Sequence, residues 1–557
     1  MDEGLLKATQ RSPDLKDYID ELSKTTGTLP KYYEALSVKD LNDIRKESVT
    51  DPKSCNFIYK AGSGFIHINA HKNTYTSVEK QLNDYEKDRL RAIKEAILDK
   101  ASNEESSETK EDLERILGKL FDQVVDVSGK AEGNNKAFLK KVPGAKFLMG
   151  GDKLSISERE YDLFKYYVNR DIVGYGTIEP LILDPYIEDI HLVGTSRVRV
   201  SHKAFQYALE TNIRFEDEIA LNEFFVSMSE RMGRPVSASK PIVDGTLPDG
   251  SRINMIYTNE ISARGSSFTI RKFAAEPISP VQLVKFGTFS AEVAAYIWLC
   301  LENKQNVMIC GETASGKTST LNGILVFVDH RGKIYSVEDT PEVKPCQKSW
   351  QRCVTRESGP EEARVMMFDL LRAALRSRPD YIVIGEIRGE EARVAFQCMQ
   401  TGIPVIATFH ASTSSKFIQR MTGQPVNIPL SFIDNVNVIL FQSAVNVHGR
   451  FLRRITHVEE FVGYNREIGG IMTRVVFKWD PARDRHFFRG MNNSHILENR
   501  VAAEHGYADK KDIYKELRKR ERIIQKMVEL NIVGYKEVVK IFSDYYEKGV
   551  ESLPFNY

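Results

Sequence analysis

The eight residues Gly311 to Thr318 fit the phosphate-loop pattern G-x-x-x-x-G-K-[ST]. Glycines let backbone N–H groups approach a phosphate closely, and the following helix directs the positive end of its dipole at the same anion. We expect Lys317 to reach the β- and γ-phosphates and Thr318 to ligate Mg²⁺. Alone, the loop predicts binding of ATP or GTP. The predicted nucleotide-binding residues are Gly311, Glu312, Thr313, Ala314, Ser315, Gly316, Lys317, Thr318 and Ser319.

The residues on either side of this loop have the pattern that the motif requires. The apolar run Asn306–Cys310 predicts a strand leading in, and Ser319–Leu325 predicts a helix leading out. A glycine-rich turn is the alternative for an isolated match, and these flanks argue against it.

Two further acid-bearing strand ends are predicted. The apolar run Asp380–Glu386 ends in a carboxylate where many P-loop enzymes have a magnesium-binding aspartate. Because the acid here is Glu386, direct ligation and contact through a metal-bound water are both open, as is a core strand with a solvated carboxylate. Past another strand, Glu338 and Glu342 are candidates to orient or deprotonate the attacking water. A solvated acidic turn is the alternative.

A histidine follows a fourth apolar run. Pro404–Thr408 predicts a strand that leads into a turn of small residues, and His410 stands where the strand end could sense the γ-phosphate. A lone histidine is more often structural, so the residue by itself is weak evidence for function.

These motifs lie in a segment whose apolar runs alternate with helical stretches, the pattern of a parallel α/β sheet. The strand-like run Val475–Trp479 and a charged helical stretch, Lys510–Tyr546, follow. The predicted strands are Asn306–Cys310, Lys333–Val337, Tyr381–Ile384, Pro404–Thr408 and Val436–Phe441.

The chain is long enough for several domains. Residues 1–160 are rich in Lys, Glu and Asp and predict a mainly helical module, with a polar linker at 102–109. Short β-branched runs predict an α+β domain over 161–273. We expect a proline-containing hinge at 274–280 and the ATPase domain, with strand and helical extensions, at 281–557.

Composition narrows the function classes. Of the 557 residues, 41% are hydrophobic and 28% charged, which is typical of a folded globular protein. The net charge of +1 and the lack of an aromatic-plus-basic groove count against a nucleic-acid translocase, so we expect no nucleic-acid partner. The six scattered cysteines, the absence of an apolar signal core and the absence of a long apolar run predict a cytoplasmic protein.

Four motifs occur in an order that resembles the type II/IV secretion superfamily of ATPases, whose Walker A, Asp-box, Walker B and His-box motifs follow this succession. The stretch Asp369–Asp380 resembles the archaeal branch, and within it the archaellum (archaeal flagellum) motor ATPase. The resemblance covers about Tyr161–Tyr464. The four motifs are the phosphate loop, Glu338-Asp339-x-x-Glu342, Ile384 to Gly389, and Thr408 to Ala411.

This resemblance implies a RecA-like motor domain in which Glu342 is the catalytic glutamate, Glu386 the Walker B acid and His410 the His-box histidine. The family often has a histidine where this chain has Ile403, so no role is assigned there. The resemblance further implies a homo-hexameric ring in which arginines of the preceding domain enter the nucleotide site. Arg252 and Arg271 match that region, Arg264 is a weaker match, and structural salt bridging is the alternative for each.

The implied function is an Mg-ATP hydrolysing hexameric motor that powers assembly or rotation of an archaeal surface filament, with an archaeal type IV pilus assembly or type II secretion-like ATPase as the alternative. A scaffold that binds nucleotide only to assemble is disfavoured by the complete acid set. The expected partner is a polytopic membrane platform protein, and an anionic lipid surface is a further candidate, with the chain at the inner face of the membrane. Basic residues considered for such contacts, or as solvated faces, are Arg450, Arg453, Arg454 and Arg518 to Arg520.

Overall fold

The structure is a computed structural model, and it divides the chain into two compact units, residues 1–273 and 274–557. The linker expected at 102–109 lies outside the described residues, as do positions 274 and 275 of the expected hinge. In the parts of the chain that are described, no helix is long and apolar enough to span a bilayer. The described residues are 3–62, 64–79, 82–101, 110–127, 153–205, 207–272, 276–356, 361–447 and 450–557.

The N-terminal unit is built on a ten-stranded sheet with the order β1-β2-β3-β4-β9-β8-β7-β12-β11-β10. Inward-facing residues of its strands, such as Ile190 and Ile270, are fully buried, while their neighbours along the strand face outward. The strands of this unit are β1 Lys31–Tyr33, β2 Asn56–Ala61, β3 Gly64–Asn69, β4 Thr74–Val78, β5 Val125–Val127, β6 Leu154–Ile156, β7 Ile187–Val193, β8 Arg199–His202, β9 Ala208–Thr211, β10 Ile242–Thr246, β11 Arg252–Ile256 and β12 Ser267–Arg271.

Several helices of the N-terminal unit begin at polar caps. Ser37 and Ser157 each accept a backbone N–H and stand in a capping box with the acid three residues later. Strands β1–β4 belong to the same sheet as β7–β12, so the described part of 1–160 is not helical alone; the boundary near 160 stays a prediction. The helices are α1 Glu3–Arg11, α2 Pro13–Thr26, α3 Val38–Thr50, α4 Asp84–Ala101, α5 Lys110–Val124, α6 Glu158–Ile172, α7 Glu179–Leu183 and α8 Glu218–Arg231.

The C-terminal unit contains a nine-stranded sheet with the order β15-β14-β16-β17-β13-β18-β19-β20-β21. The first six strands in this order, β15-β14-β16-β17-β13-β18, pair in parallel. The last four, β18-β19-β20-β21, pair antiparallel. The central parallel strands β13 and β17 are buried along their whole length and therefore read as continuous apolar runs. The strands are β13 Val307–Gly311, β14 Ile334–Glu338, β15 Trp350–Val354, β16 Tyr381–Ile387, β17 Val405–Phe409, β18 Val438–Val447, β19 Arg450–Asn465, β20 Gly470–Asp480 and β21 Arg485–Phe488.

One helix of this unit, α10, is apolar around most of its circumference because it is covered on several sides. Its N-cap Ser290 accepts the N–H of Val293, and ten of its twelve residues are buried. It packs against α16 and contributes to the same core as β13. The helices are α9 Pro280–Lys285, α10 Ala291–Glu302, α11 Lys317–Ile324, α12 Met367–Ser377, α13 Glu391–Gln400, α14 Ser414–Thr422, α15 Ala502–Glu504, α16 Ile513–Glu529 and α17 Tyr535–Lys548.

The last two helices hold a buried arginine between them and α10. Arg520 is only 5% exposed, forms an ion pair with Glu302, and places its guanidinium 4.5 Å from the ring centroid of Trp298. The run Arg518 to Arg520 is therefore not a continuous basic surface, and Arg520 is corrected from a candidate partner contact to a core residue. Arg518, on the same helix, is exposed.

Replacing Arg520 is expected to destabilise the C-terminal unit. Arg520→Ala leaves Glu302 without its partner and opens a gap beside Trp298, so the free energy of unfolding should fall by about 3 kcal/mol. Arg518→Ala, the matched control, should change it by less than about 0.5 kcal/mol. Urea denaturation followed by tryptophan fluorescence measures both; equal effects would contradict the assignment.

Candidate active site

The phosphate loop connects the buried end of β13 to the start of α11. Ala314 and Gly316 both have left-handed backbone conformations, with φ of 61° and 92°. A Cβ at Gly311 would lie 2.1 Å from the carbonyl oxygen of Gln442 and 2.7 Å from Oγ of Ser315, so only glycine fits there. Packing and backbone conformation therefore require glycine in this motif, in addition to the close approach of a phosphate.

Lys317 occupies the inside of this loop. It is 8% exposed, and its Nζ donates to the carbonyl oxygens of Gly311 at 3.1 Å and Glu312 at 3.0 Å. Burial lowers the pKa of Lys317, although Glu386 lies near enough to oppose the shift. The first N–H groups of α11, including those of Thr318 and Ser319, have no intrahelical acceptor. The loop thus fits a phosphate group, with a cation and backbone donors around one small space.

Glu338 ends β14 and is almost completely buried. Its Oε1 accepts the backbone N–H groups of Glu342 and Val343, both at 2.6 Å, and its Oε2 lies 3.5 Å from Nε of Arg352. Burial raises the pKa of Glu338 to about 7. This carboxylate holds the turn that carries the half-buried Glu342, so the geometry supports a positioning role for Glu338, and the role of Glu342 in activating water stays a prediction.

An amide on the phosphate-loop helix fixes the same turn from the other side. Nδ2 of Asn322 donates to the carbonyl oxygen of Glu342 at 3.0 Å, and its Oδ1 accepts the N–H of Lys344 at 2.7 Å. Asn322 is 8% exposed. Helix α11 therefore positions the turn that carries Glu342 relative to the loop that would hold the phosphates.

Glu386, near the end of β16, is the centre of a charged cluster. Nε of Arg388 donates to its Oε2 at 2.9 Å, and Nε2 of His410 contacts its Oε1. That oxygen is buried and accepts no aligned hydrogen bond within the described parts of the chain. Nδ1 of His410 lies 3.4 Å from Nζ of Lys317, and Thr408 donates to the carbonyl of Gly385 at 2.6 Å.

The protonation of His410 follows from this arrangement. Burial and the positive charge of Lys317 lower its pKa, while Glu386 opposes the shift. The histidine is therefore mainly neutral near pH 7, with one ring nitrogen toward the lysine and the other toward the carboxylate. It connects the loop of β13 with the acid of β16.

Thr318 and Glu386 remain the residues that would hold Mg²⁺. The described residues contain no cluster of three or more His, Cys, Asp or Glu side chains suited to a metal. Mg²⁺ in nucleotide sites keeps several waters and is bound through one or two protein oxygens plus substrate phosphates, so a hydroxyl and one carboxylate fit it. Oε1 of Glu386, which is buried and accepts no aligned hydrogen bond from the described residues, is consistent with such a ligand.

Arg252 and Arg271, the arginines predicted to enter the site, lie in the N-terminal unit. They begin β11 and end β12 respectively, and the antiparallel register places them directly opposite each other. Of the two, Arg271 is exposed and Arg252 half-buried. The two arginines are therefore neighbours in the sheet of the N-terminal unit. Their role at the nucleotide stays a prediction.

Two residues on the other side of the loop were not predicted as site residues. Nε2 of Gln442, on β18, donates to the carbonyl of Ser315 at 2.8 Å, and Nε of Arg453, on β19, donates to that of Ala314 at 3.2 Å. In the sequence, the one feature that pointed to Gln442 was its position as a polar residue directly after an apolar run. Arg453, a candidate for partner contacts, is exposed and also contacts the loop; its partner role stays a prediction. Arg454, considered likewise, is buried in an ion pair with Asp484.

The order of the strands shows the class of the protein. β17 separates the phosphate-loop strand β13 from β16, which carries Glu386, and this is the sheet of a RecA-like P-loop ATPase. The predicted α/β fold is confirmed. Residues 171–464, more than half of the chain, match the family described as type II/IV secretion system protein. The chain belongs to that family, as its motif order predicted, and is an ATPase.

Relatives extend over different shares of the chain. It is 49% identical over 561 residues to the uncharacterized protein MJ0900 of Methanocaldococcus jannaschii, covering 100% of this chain and 99% of that protein. It is 30% identical over 241 residues to the probable conjugal transfer protein TrbB of Sinorhizobium fredii, covering 42% and 72%. Against the solved structure of the ATPase DotB of Legionella pneumophila it is 17% identical with a TM-score of 0.35, covering 64% and 91%.

The raised pKa of Glu338 makes stability depend on pH. Its folded-state pKa of about 7 exceeds the unfolded value of 4.5, so its contribution to stability is complete below pH 4.5 and is lost as the pH rises through 7. Glu338→Gln keeps an oxygen for both N–H donors and does not ionise. From pH 4.5 to 8, the wild type should lose about 3 kcal/mol of unfolding free energy relative to this variant. Parallel urea-denaturation curves across pH would contradict the assignment.

Proposed function

We propose that the chain is an Mg-ATP hydrolysing, hexameric motor that powers assembly or rotation of an archaeal surface filament, the archaellum. The observation that carries ATP hydrolysis is the convergence of the Glu342 turn, Glu386 and His410, from three different strand ends, on the loop around Lys317. The full-length likeness to a protein of Methanocaldococcus jannaschii, an archaeon, supports the archaeal assignment.

In this mechanism the loop binds the phosphates through its backbone N–H groups and Lys317. Mg²⁺, held by Thr318 and Glu386, would neutralise charge on the β- and γ-phosphates. Glu342 orients the attacking water and accepts its proton, because its turn is fixed both by Glu338 and by the phosphate-loop helix. His410, neutral and placed between Lys317 and Glu386, links occupancy of the loop to the acid.

The facing arginines of the N-terminal unit supply the part of the site that the motor domain lacks. Arg252 and Arg271 stand directly opposite each other on neighbouring strands, so both guanidinium groups can act on one anion. Guanidinium forks stabilise the charge of a transferring phosphoryl group. In the proposed ring, a hinge at 274–280 lets ATP draw these arginines to a nucleotide, and hydrolysis releases them.

The force would act on a polytopic membrane platform protein from the cytoplasmic face, with anionic lipids as a further contact. The likeness to a conjugal transfer protein supports the alternative, a type IV pilus assembly or secretion-like ATPase. A Lys317→Ala allele in the source organism distinguishes the two: loss of swimming with pili retained supports the archaellum, and loss of pili or of secretion alone supports the alternative.

Glu342→Gln should lower kcat by about 10²- to 10⁴-fold because it removes the group that accepts the proton of water. The Kd for ATP should remain within about threefold, since Gln keeps the shape of the turn and its backbone contacts. Steady-state phosphate release and equilibrium binding of ATP measure the two effects. Glu467→Gln, at an exposed turn, is the control; full activity of Glu342→Gln would refute the assignment.

Arg252→Ala and Arg271→Ala should each lower kcat on the order of 10³-fold in the assembled protein, because each removes charge stabilisation of the transferring phosphoryl group. Arg214→Ala, an exposed arginine of the same unit, is the matched control. Size-exclusion chromatography with light scattering checks the hexamer.

Mixing Arg252→Ala subunits with Glu342→Gln subunits tests whether the arginines act between subunits. Partial recovery of phosphate release is expected where an intact arginine meets an intact acid. Unchanged activity of both arginine variants would rule out the closure model.

A further inference from the structure

The β18–β19 hairpin begins at the phosphate loop and continues outward from it. Gln442 is the parallel register partner of Gly311, and the β18–β19 ladder shifts its register between Phe441 and Gln442. Such a bulge re-aims the side chains that follow it. Gln442 and Arg453 both donate to loop carbonyls, so one face of the hairpin starts in contact with the loop.

Strand periodicity identifies the residues that extend this face. Ala444 pairs with Arg453, and Asn446 pairs with Phe451, so the second pair lies on the same face one step farther out. At about 3.4 Å per residue, Phe451 lies roughly 7 Å beyond Arg453 along the strand. The face therefore presents, outward from the loop, an arginine beside an alanine and then a phenylalanine beside an asparagine.

Phe451 is the outermost side chain of this face and is 83% exposed. Ala444 and Asn446 are exposed as well. A single exposed phenylalanine is ordinary on a protein surface. Here, however, Phe451 lies on the face of the hairpin that begins at the phosphate loop, and its neighbour across the ladder is the amide Asn446. On β18, only the methyl side chain of Ala444 stands between Asn446 and Gln442 on this face.

The direction of the substrate on the loop follows from the sheet order. Glu342 follows β14, Glu386 lies near the end of β16, and His410 follows β17. These three strands are all on the same side of β13. The reacting γ-phosphate must point to that side. The nucleoside end is therefore directed to the other side of the loop, where β18 and β19 lie.

We infer that this hairpin face is the base-recognition platform of the nucleotide site, with Phe451 stacking on the base and Asn446 selecting adenine. Aromatic rings stack on any base, and an asparagine amide pairs with the N6 and N7 positions of adenine through one donor and one acceptor. Arg453, between the loop and Phe451, adds positive charge beside the phosphates nearer the sugar. The inference rests on the proposed ATP hydrolysis and adds its nucleotide specificity.

The test compares ligands with and without a base on the full-length chain. Equilibrium dissociation constants are measured for Mg²⁺ complexes of ATP, GTP and inorganic tripolyphosphate. Phe451→Ala should raise the dissociation constant for ATP about tenfold to a hundredfold, because stacking on the base is lost. The dissociation constant for tripolyphosphate should change by less than about twofold, because the loop is intact. Phe451→Trp should keep ATP affinity. Phe487→Ala, another exposed phenylalanine of the same sheet, should change neither ligand.

Asn446→Leu should reduce the preference for ATP over GTP about tenfold, with tripolyphosphate unaffected. Equal effects of Phe451→Ala on ATP and tripolyphosphate, no effect on either, or a change of oligomeric state without a base-dependent loss would overturn the inference. Failure of the proposed function looks different: the wild type would bind neither ATP nor tripolyphosphate, and Lys317→Ala would change nothing.

Discussion

The central position of β13 in the C-terminal sheet is the constraint on which the rest of the site depends. Because β17 flanks this strand on one side and β18 on the other, both neighbours reach the loop that follows it. From one side His410 contacts Lys317, and from the other Gln442 and Arg453 hold two loop carbonyls. The residues assigned to the reaction and those proposed to bind the rest of the nucleotide thus lie on opposite sides of one loop.

The acid assigned to water activation is placed by buried polar contacts. Burial of the Glu338 carboxylate is costly even though two backbone N–H groups donate to it, and its raised pKa reflects that cost. The Asn322 amide adds a direct connection from the phosphate-loop helix to the same turn. A displacement of that helix would therefore also move the turn that carries Glu342, which gives a physical basis for coupling phosphate binding to hydrolysis.

Much of the motor sheet could be predicted from sequence because parallel strands buried on both faces are continuous apolar runs. Each of the five predicted strands begins within two residues of an observed one, and β16 and β18 extend three and six residues beyond the predicted ends. The N-terminal unit was less accessible. Its strands β1–β4 are short and lie in a charged segment, and they are stabilised by pairing with one another and with the distant β9, through Thr74 and Tyr75. Pairing between strands so far apart in the sequence leaves no local sequence pattern that would predict it.

Residue types and spacing by themselves determined the phosphate loop, the acids of the strand ends and the family, because that chemistry needs particular groups at fixed distances along the chain. Tertiary structure alone decided that Glu338 supports Glu342, that Arg453 serves the loop while Arg454 and Arg520 are buried, and that Phe451 is aligned with the nucleotide site. These roles depend on which strands become neighbours and which face each side chain takes, and non-local packing sets both.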